Sequence, residues 1–171
     1  MKFVPKAERT RWHLKAIEAA KGADLHSLME LLLETKELDR LADLVRQTKD
    51  QALEGLSHFT TEPVAKKLDK THPDLAARLW RAQGMRIVNA KKSKYYAAAF
   101  SNFESAKRCF ERAGLVAEWV KTVSQVRADH HRKTGFMAGF ESLVAGAGPS
   151  DEPSFLERAK ARWSGGQRRE E

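Results

Sequence analysis

The sequence predicts an all-α protein built from antiparallel helical hairpins, and three observations lead to that prediction. Helix-favouring Ala, Leu, Lys, Arg and Glu dominate the chain. Apolar residues recur at the 3.6-residue spacing of a helix, and no segment shows the alternation of a strand. Short connections with glycine, proline or a capping residue join the helical segments. Paired helices of this kind stack as a hairpin array or pack as a bundle.

The first half of the chain predicts five helices. Gly22 ends the first, over residues 8–21, and Asp24 caps the second, which runs through Leu33. The third covers residues 37–48, and a weaker one covers 50–58. The stretch Thr60-Thr61-Glu62-Pro63 places a hydroxyl before a proline, which predicts the start of a short helix containing Leu68.

The second half predicts three long helices and a shorter one. Thr71-His72-Pro73-Asp74 starts a helix over residues 73–90, and Gly84 inside it predicts the close approach of a neighbouring element. The clearest amphipathic helix covers 94–113 and ends at Gly114. Residues 115–131 form the next helix, followed by a turn and a last core helix over 135–145. The inward residues predicted for the helix over 115–131 are Val116, Trp119, Val120, Val123 and Val126.

Domain organisation follows from where the helical pattern stops. Residues 1–145 are expected to form one helical-repeat domain, and 146–171 a linker, a short peripheral helix over 154–163 and a tail. The start of the chain lacks the apolar run of a secretory signal, and no segment is apolar for the roughly 18–20 residues that cross a bilayer. A cytoplasmic protein without a membrane partner is expected.

Four stretches in order give a family resemblance over about residues 30–145: LETKELDRLADLV, HPDLAARLWRAQGMRIV, YYAAAFSNFESAKRCFERAG and AEWVKTVSQVRADHHRKTGFMAGFESL. The run resembles the helical region at the carboxyl end of SWIM zinc-finger proteins and related uncharacterised bacterial proteins. The matching residues are Tyr96 and Ala99, Glu118 and Trp119, His131-Arg132-Lys133, and Phe136-Met137. The resemblance implies a tetratricopeptide-like α-solenoid, with an irregular bundle as the alternative, and a binding or scaffolding role. The cysteines of the SWIM finger are absent, so its zinc chemistry does not carry over.

Few residues suggest catalysis, a cofactor or a metal. Cys109 is the only cysteine, and its place on an apolar stripe indicates a buried small side chain rather than a nucleophile. The stretch RADHHRK, residues 127–133, puts two histidines about 100° apart on a helix, whereas helical metal ligands lie at i and i+4. We interpret it as a helix end, where cationic side chains oppose the negative end of the dipole and Asp129 pairs with Arg132 or Lys133. No catalytic residue, cofactor or metal site is predicted.

The net charge of +8 raises the prospect of a polyanionic partner. Basic residues fall in three groups that would form a phosphate-contacting strip if their helices aligned. They are Arg86, Lys91, Lys92 and Lys94, then Arg108 and Arg112, then Arg132 and Lys133. The alternative is a solvated face, and no interleaved aromatic residue suggests base stacking. The favoured function is a non-catalytic protein that binds a protein or peptide in a groove between hairpins. A nucleic-acid-associated protein making sequence-independent phosphate contacts is the second hypothesis.

Overall fold

A computed structural model describes residues 24–146 of the chain. Every element in that range is helical: eight α-helices and one short 3₁₀ helix. They are α1 (Leu25–Glu34), α2 (Leu38–Gln47), α3 (Asp50–Gly55), α4 (His58–Leu68), α5 (Pro73–Asn89), the 3₁₀ helix (Ser93–Tyr95), α6 (Tyr96–Arg112), α7 (Val116–His130) and α8 (Thr134–Val144). The all-α prediction is confirmed for this range. The predicted helix over 8–21 and the predicted helix and tail beyond residue 146 lie outside it.

Local signals at the start of α1 and the end of α6 behave as the sequence predicted. The Asp24 carboxylate accepts a hydrogen bond of 3.0 Å from the Ser27 N–H and caps α1. Gly114 ends α6 with a φ of +70°. The Gly114 N–H bonds to the Glu111 carbonyl, and the Leu115 N–H bonds to the Phe110 carbonyl at 2.8 Å. This pair of bonds satisfies carbonyls that the end of a helix leaves without partners.

The predicted start of α4 was wrong. The helix begins at His58, and the Ser57 side chain caps it by accepting a hydrogen bond from the Phe59 N–H. Pro63 therefore lies inside the helix and not in its first turn. The buried threonines Thr60 and Thr61 are part of α4 and face the core. The serine cap six residues before Pro63 starts the helix, and the buried face begins at the two threonines, ahead of the proline.

The central element is α5, which packs most extensively on α6 and also contacts α2, α3, α4 and α7. Its small residues Ala76, Ala77 and Ala82 are fully buried, which allows helices to approach it from several sides. The close approach predicted at Gly84 is confirmed. A Cβ atom there would lie 2.9 Å from the ring of Phe103, on α6.

Arg78 and Arg81, on α5, hold the first helices against the centre. The Arg78 guanidinium donates to the carbonyls of Val45 at 2.9 Å and Thr48 at 2.7 Å, where α2 ends, and to the carboxylate of Asp50 at 2.7 Å. Arg81 is 8% exposed. Its guanidinium lies 3.3 Å from Glu54 on α3 and donates at 2.6 Å to Gln125 on α7. Burial raises the pKa of the Glu54 carboxyl, and Arg81 opposes that shift.

An aromatic cluster joins α6 to α8. Phe136 is fully buried, and its ring centroid lies 5.2 Å from that of Tyr96, 5.3 Å from Phe100 and 5.6 Å from Phe140. Phe103 and Phe140 meet edge to face at 5.2 Å. Aromatic pairs in these arrangements add about 0.5–1.5 kcal/mol beyond the area they bury. The cluster therefore fixes the start of α8 beside the start of α6.

The inward face predicted for α7 was partly wrong. Trp119, Val123 and Val126 are buried as predicted, but Val116 is 54% exposed and Val120 is 56% exposed. Thr122 is buried on the opposite flank of the stripe, and its hydroxyl donates to the Glu118 carbonyl at 2.9 Å. A threonine that bonds within its own helix is compatible with the core, so the buried stripe is rotated away from Val120.

The pairing of helices is uneven. The predicted hairpin of α5 and α6 is the most extensive contact, whereas α7 packs more on α6 than on its own hairpin partner α8.

Among residues 24–146, no helix combines the length and the apolar character needed to cross a membrane.

Candidate functional site

Six of the eight basic residues singled out in the sequence lie at the end of the domain where α5 finishes and α7 turns into α8. The Lys133 ammonium donates to the Val88 carbonyl in the last turn of α5, and Lys91 is close enough to repel it. We call this group the basic end. It consists of Arg86, Lys91, Lys92, Lys94, Arg132 and Lys133.

The excess of positive over negative charge in the described residues is located at the basic end. Residues 24–146 contain twenty Lys and Arg and sixteen Asp and Glu. Six of the twenty are in the basic end, and the remaining fourteen are outnumbered by the sixteen carboxylates. No carboxylate occurs in the sequence between Asp74 and Glu104 or between Asp129 and Glu141. The segments that form this end therefore contribute positive charges with few carboxylates to neutralise them.

Individual lysines of the basic end have different roles. Partial burial, and then the charge of Lys91, lower the pKa of Lys133. The Lys133 ammonium donates to the Val88 carbonyl and so caps the carboxyl end of α5. The first role of Lys133 is therefore structural. Lys91, Lys92 and Lys94 are exposed. Lys91 holds a φ of +56°, a conformation that costs a residue with a side chain more than it costs glycine.

The structure does not extend the basic end into the predicted strip. Arg108 and Arg112 lie near the other end of α6, about 18–24 Å from its start at a rise of about 1.5 Å per residue. Arg112 pairs with Asp69, the residue that follows α4, at 3.2 Å. Arg108 lines a cleft of about 480 Å³ between α4 and α6, with Trp80 of α5 on its wall and the carboxylates of Glu62 and Asp69 opposite. These two arginines therefore belong to a mixed-charge surface.

Cys109 is buried, as predicted, and its surroundings suppress nucleophilic chemistry. The Cys109 thiol donates to the Asp69 carboxylate at 2.8 Å. Burial, and then the hydrogen bond and charge of Asp69, raise the pKa of the thiol to about 12. A thiol in this state is protonated at neutral pH, and the thiolate is the reactive form. The hydrogen bond links α6 to the end of α4.

The stretch RADHHRK forms a helix end, but its details correct the prediction. His130 is 5% exposed, and neither ring nitrogen has a hydrogen-bond partner among the described residues. Its ring packs edge to face on Phe136 at 6.3 Å. The predicted pairing of Asp129 with Arg132 or Lys133 is absent from the described ion pairs, and the Lys133 ammonium donates to the Val88 carbonyl. Within residues 24–146, no three His, Cys, Asp or Glu side chains are grouped as metal ligands.

His130 was expected to be cationic, and its surroundings favour the neutral ring. Burial, followed by the charge of Lys133, lowers its pKa, and Asp129 opposes the shift only weakly. A histidine with a lowered folded-state pKa supports the fold above its unfolded pKa of about 6.5. That contribution is lost as the pH falls through the folded-state pKa. The buried nitrogens also carry a desolvation cost.

We therefore expect His130→Leu to stabilise the protein by about 1 kcal/mol at pH 7.5, since the substitution removes two buried polar atoms without partners. The advantage should grow at pH 5.5, because the unfolded wild-type chain binds a proton at this histidine more readily than the folded protein does, and the leucine variant has no such proton to bind. Urea unfolding at both pH values measures it. His131→Leu, at the exposed neighbouring position, is the control and should behave as wild type. Equal stabilities of His130→Leu and wild type at both pH values would contradict this account.

One feature of the basic end was missed from the sequence. Tyr95 is 47% exposed, and the Lys94 ammonium lies 4.9 Å from its ring centroid. Its neighbour Tyr96 turns inward and packs on Phe136. Because adjacent residues in a helical turn face different directions, burying Tyr96 leaves Tyr95 outside. The sequence left the orientation of Tyr95 open, and only the packing of Tyr96 decides it.

Residues 24–146 form an all-helical domain with a positively charged end. Residues 4–138 match the family described as "Family of unknown function (DUF6880)", which covers most of the chain. The protein belongs to this family. No curated protein and no solved structure matches the chain.

Proposed function

We propose that this protein is a non-catalytic helical protein that binds nucleic acid through its phosphates, and that the basic end is the contact surface. The observation that carries the proposal is the concentration of the described chain's excess positive charge at this one end. Lysines that contact phosphates release condensed counterions, which gives affinity without reading the base sequence. The exposed Lys91, Lys92 and Lys94 are the residues expected to supply it.

The absence of catalysis is part of the proposal, and the state of Cys109 supports it. Cysteine is the most nucleophilic side chain near neutral pH. Here its thiol is buried, donates to Asp69 and has a pKa of about 12. A nucleophile would need surroundings that favour the thiolate, whereas burial and the Asp69 carboxylate here outweigh the nearby charges of Arg112 and Arg108.

A protein or peptide partner is the second candidate function, and a different surface favours it. Leu115, Val116 and Val120 form an exposed apolar ridge at the start of α7, with exposures of 38%, 54% and 56%. Adjacent exposed apolar side chains are typical of interaction surfaces. The tetratricopeptide-like stacking and the resemblance to the SWIM-associated helical region belong with this candidate, and both remain predictions.

The phosphate contacts can be tested with fluorescence anisotropy of labelled random oligonucleotides, single- and double-stranded, at about 50 and 200 mM salt. We expect the triple variant Lys91→Gln, Lys92→Gln, Lys94→Gln to lose at least about tenfold in affinity at 50 mM salt. The slope of log affinity against log salt should become shallower by about 2, because about 0.7 of slope accompanies each phosphate contact on a single strand.

The matched control removes the same charge elsewhere. Lys49, Lys67 and Lys70 are exposed residues outside the basic end. If net charge alone drives association, replacing these three by glutamine weakens binding as much as the first triple variant does. Equal losses would contradict the proposed surface. No binding by the wild-type protein at 50 mM salt would contradict nucleic-acid binding altogether and favour the apolar ridge.

A further inference from the structure

We infer that the basic end binds single-stranded nucleic acid in preference to duplex, with one base stacked on the ring of Tyr95; this rests on the proposed function. Phosphate contacts alone do not distinguish the two forms strongly, because both present a charged backbone. An aromatic ring does distinguish them. Only an unpaired base can offer its face to a side chain without being removed from a duplex stack.

The position of Tyr95 supports this role. It lies in the 3₁₀ helix between Lys92 and α6, so cationic residues precede it in the chain. Lys94 lies over its ring at 4.9 Å, and a ring has two faces, so this cation covers only one of them. The packing of Tyr96 on Phe136 fixes the backbone from which Tyr95 projects. The backbone that carries the ring is thus held in place, which reduces the ordering that binding requires.

Other exposed aromatic surface does not offer the same chemistry. Phe59, at the start of α4, is 75% exposed, and its ring is tilted by 35° against that of His58 with centroids 4.0 Å apart. It is separated in sequence from the basic end and has no lysine within two positions on either side. Phe59 can therefore serve as a matched control, because it is an exposed aromatic residue without surrounding cations.

Anisotropy with the full chain tests the inference, using a labelled mixed-sequence strand of about twelve nucleotides and its duplex. We expect Tyr95→Ala to weaken single-strand binding by about fivefold to about a hundredfold, the range that stacking on one aromatic side chain supplies. Duplex binding and the salt slope should stay at their wild-type values. Tyr95→Phe retains the ring face and should bind as wild type, and so should Phe59→Ala.

A strand of the same length with abasic sites completes a double-mutant cycle. It retains the phosphates and lacks the bases. The wild-type protein should bind it about as weakly as Tyr95→Ala binds the ordinary strand, and Tyr95→Ala should cause no further loss on it. Additive losses would mean that Tyr95 does not contact a base, which would overturn the inference.

The outcomes separate the inference from the function on which it rests. If the lysine variant loses binding but Tyr95→Ala binds the single strand as wild type, the phosphate surface is retained and the stacking is wrong. If Tyr95→Ala weakens strand and duplex equally, the ring only positions Lys94, and the inference is also wrong. If the wild-type protein binds neither probe, or polyglutamate binds as tightly as the oligonucleotide, both proposals fail.

Discussion

Replacing Phe136 by alanine is expected to lower the free energy of unfolding by about 3–5 kcal/mol, the range for removing a fully buried aromatic side chain. Phe136 is 0% exposed, and its ring lies within 5.6 Å, centroid to centroid, of the rings of Tyr96, Phe100 and Phe140. The cavity would be lined by rigid rings, which cannot collapse into it easily. In a protein of this size the loss corresponds to about 10 °C in the melting temperature.

Urea denaturation followed by circular dichroism measures this loss. Phe59→Ala is the matched control, because Phe59 is 75% exposed and its removal should change stability by less than about 0.5 kcal/mol. A loss below about 1 kcal/mol for Phe136→Ala would show that α8 does not pack on α6 as described. The basic end depends on this packing, because the Phe136 ring anchors the turn that carries Arg132 and Lys133.

Replacing Gly84 by valine is the second large effect expected. A Cβ atom at this position would lie 2.9 Å from Cε2 and Cζ of Phe103, closer than real contacts allow. The Phe103 ring is fully buried and meets Phe140 at 5.2 Å, so it has little room to move away. Overpacking of this kind costs about 1–3 kcal/mol, and we expect the upper part of that range for a branched side chain.

Thermal denaturation of Gly84→Val and of Gly135→Val makes the comparison. Both glycines are helical, but a Cβ at Gly135 meets no heavy atom within 4 Å, so its variant should be close to wild type. Phe103→Leu relieves the crowding and should cost less stability in the Gly84→Val protein than in the wild type. Equal costs of Phe103→Leu in the two backgrounds would rule out the contact between α5 and α6 as the cause.

Features encoded in a few adjacent residues could be predicted from the sequence. The Asp24 cap, the Gly114 stop and the proline start of α5 are local, because a side chain or a backbone conformation within one turn determines each. Gly84 was also interpretable, since a glycine inside a long helix costs stability unless something needs the space.

Features that depend on neighbouring elements could not be predicted. Val120 was expected inward but is exposed, and Thr122 is buried, because the orientation of α7 on α6 decides which side is buried. Lys133 was expected to face a partner, but Val88 lies beside it only after folding. Arg108 and Arg112 were expected to continue the strip of lysines if their helices aligned, and the length of α6 separates them. Tyr95 became a candidate only when Tyr96 was seen to pack inward.

The most direct measurement is a nuclear magnetic resonance titration of the ¹⁵N-labelled full chain with a short single-stranded oligonucleotide. It maps the contact surface residue by residue. Our account predicts that amide shifts concentrate in residues 86–95 and 130–134, and that they fade as salt is added. Shifts concentrated around Glu62, Ser105 and Arg108 would assign binding to the cleft between α4 and α6, and shifts around Leu115–Val120 would assign it to the apolar ridge. Either of these results would contradict the basic end as the functional surface.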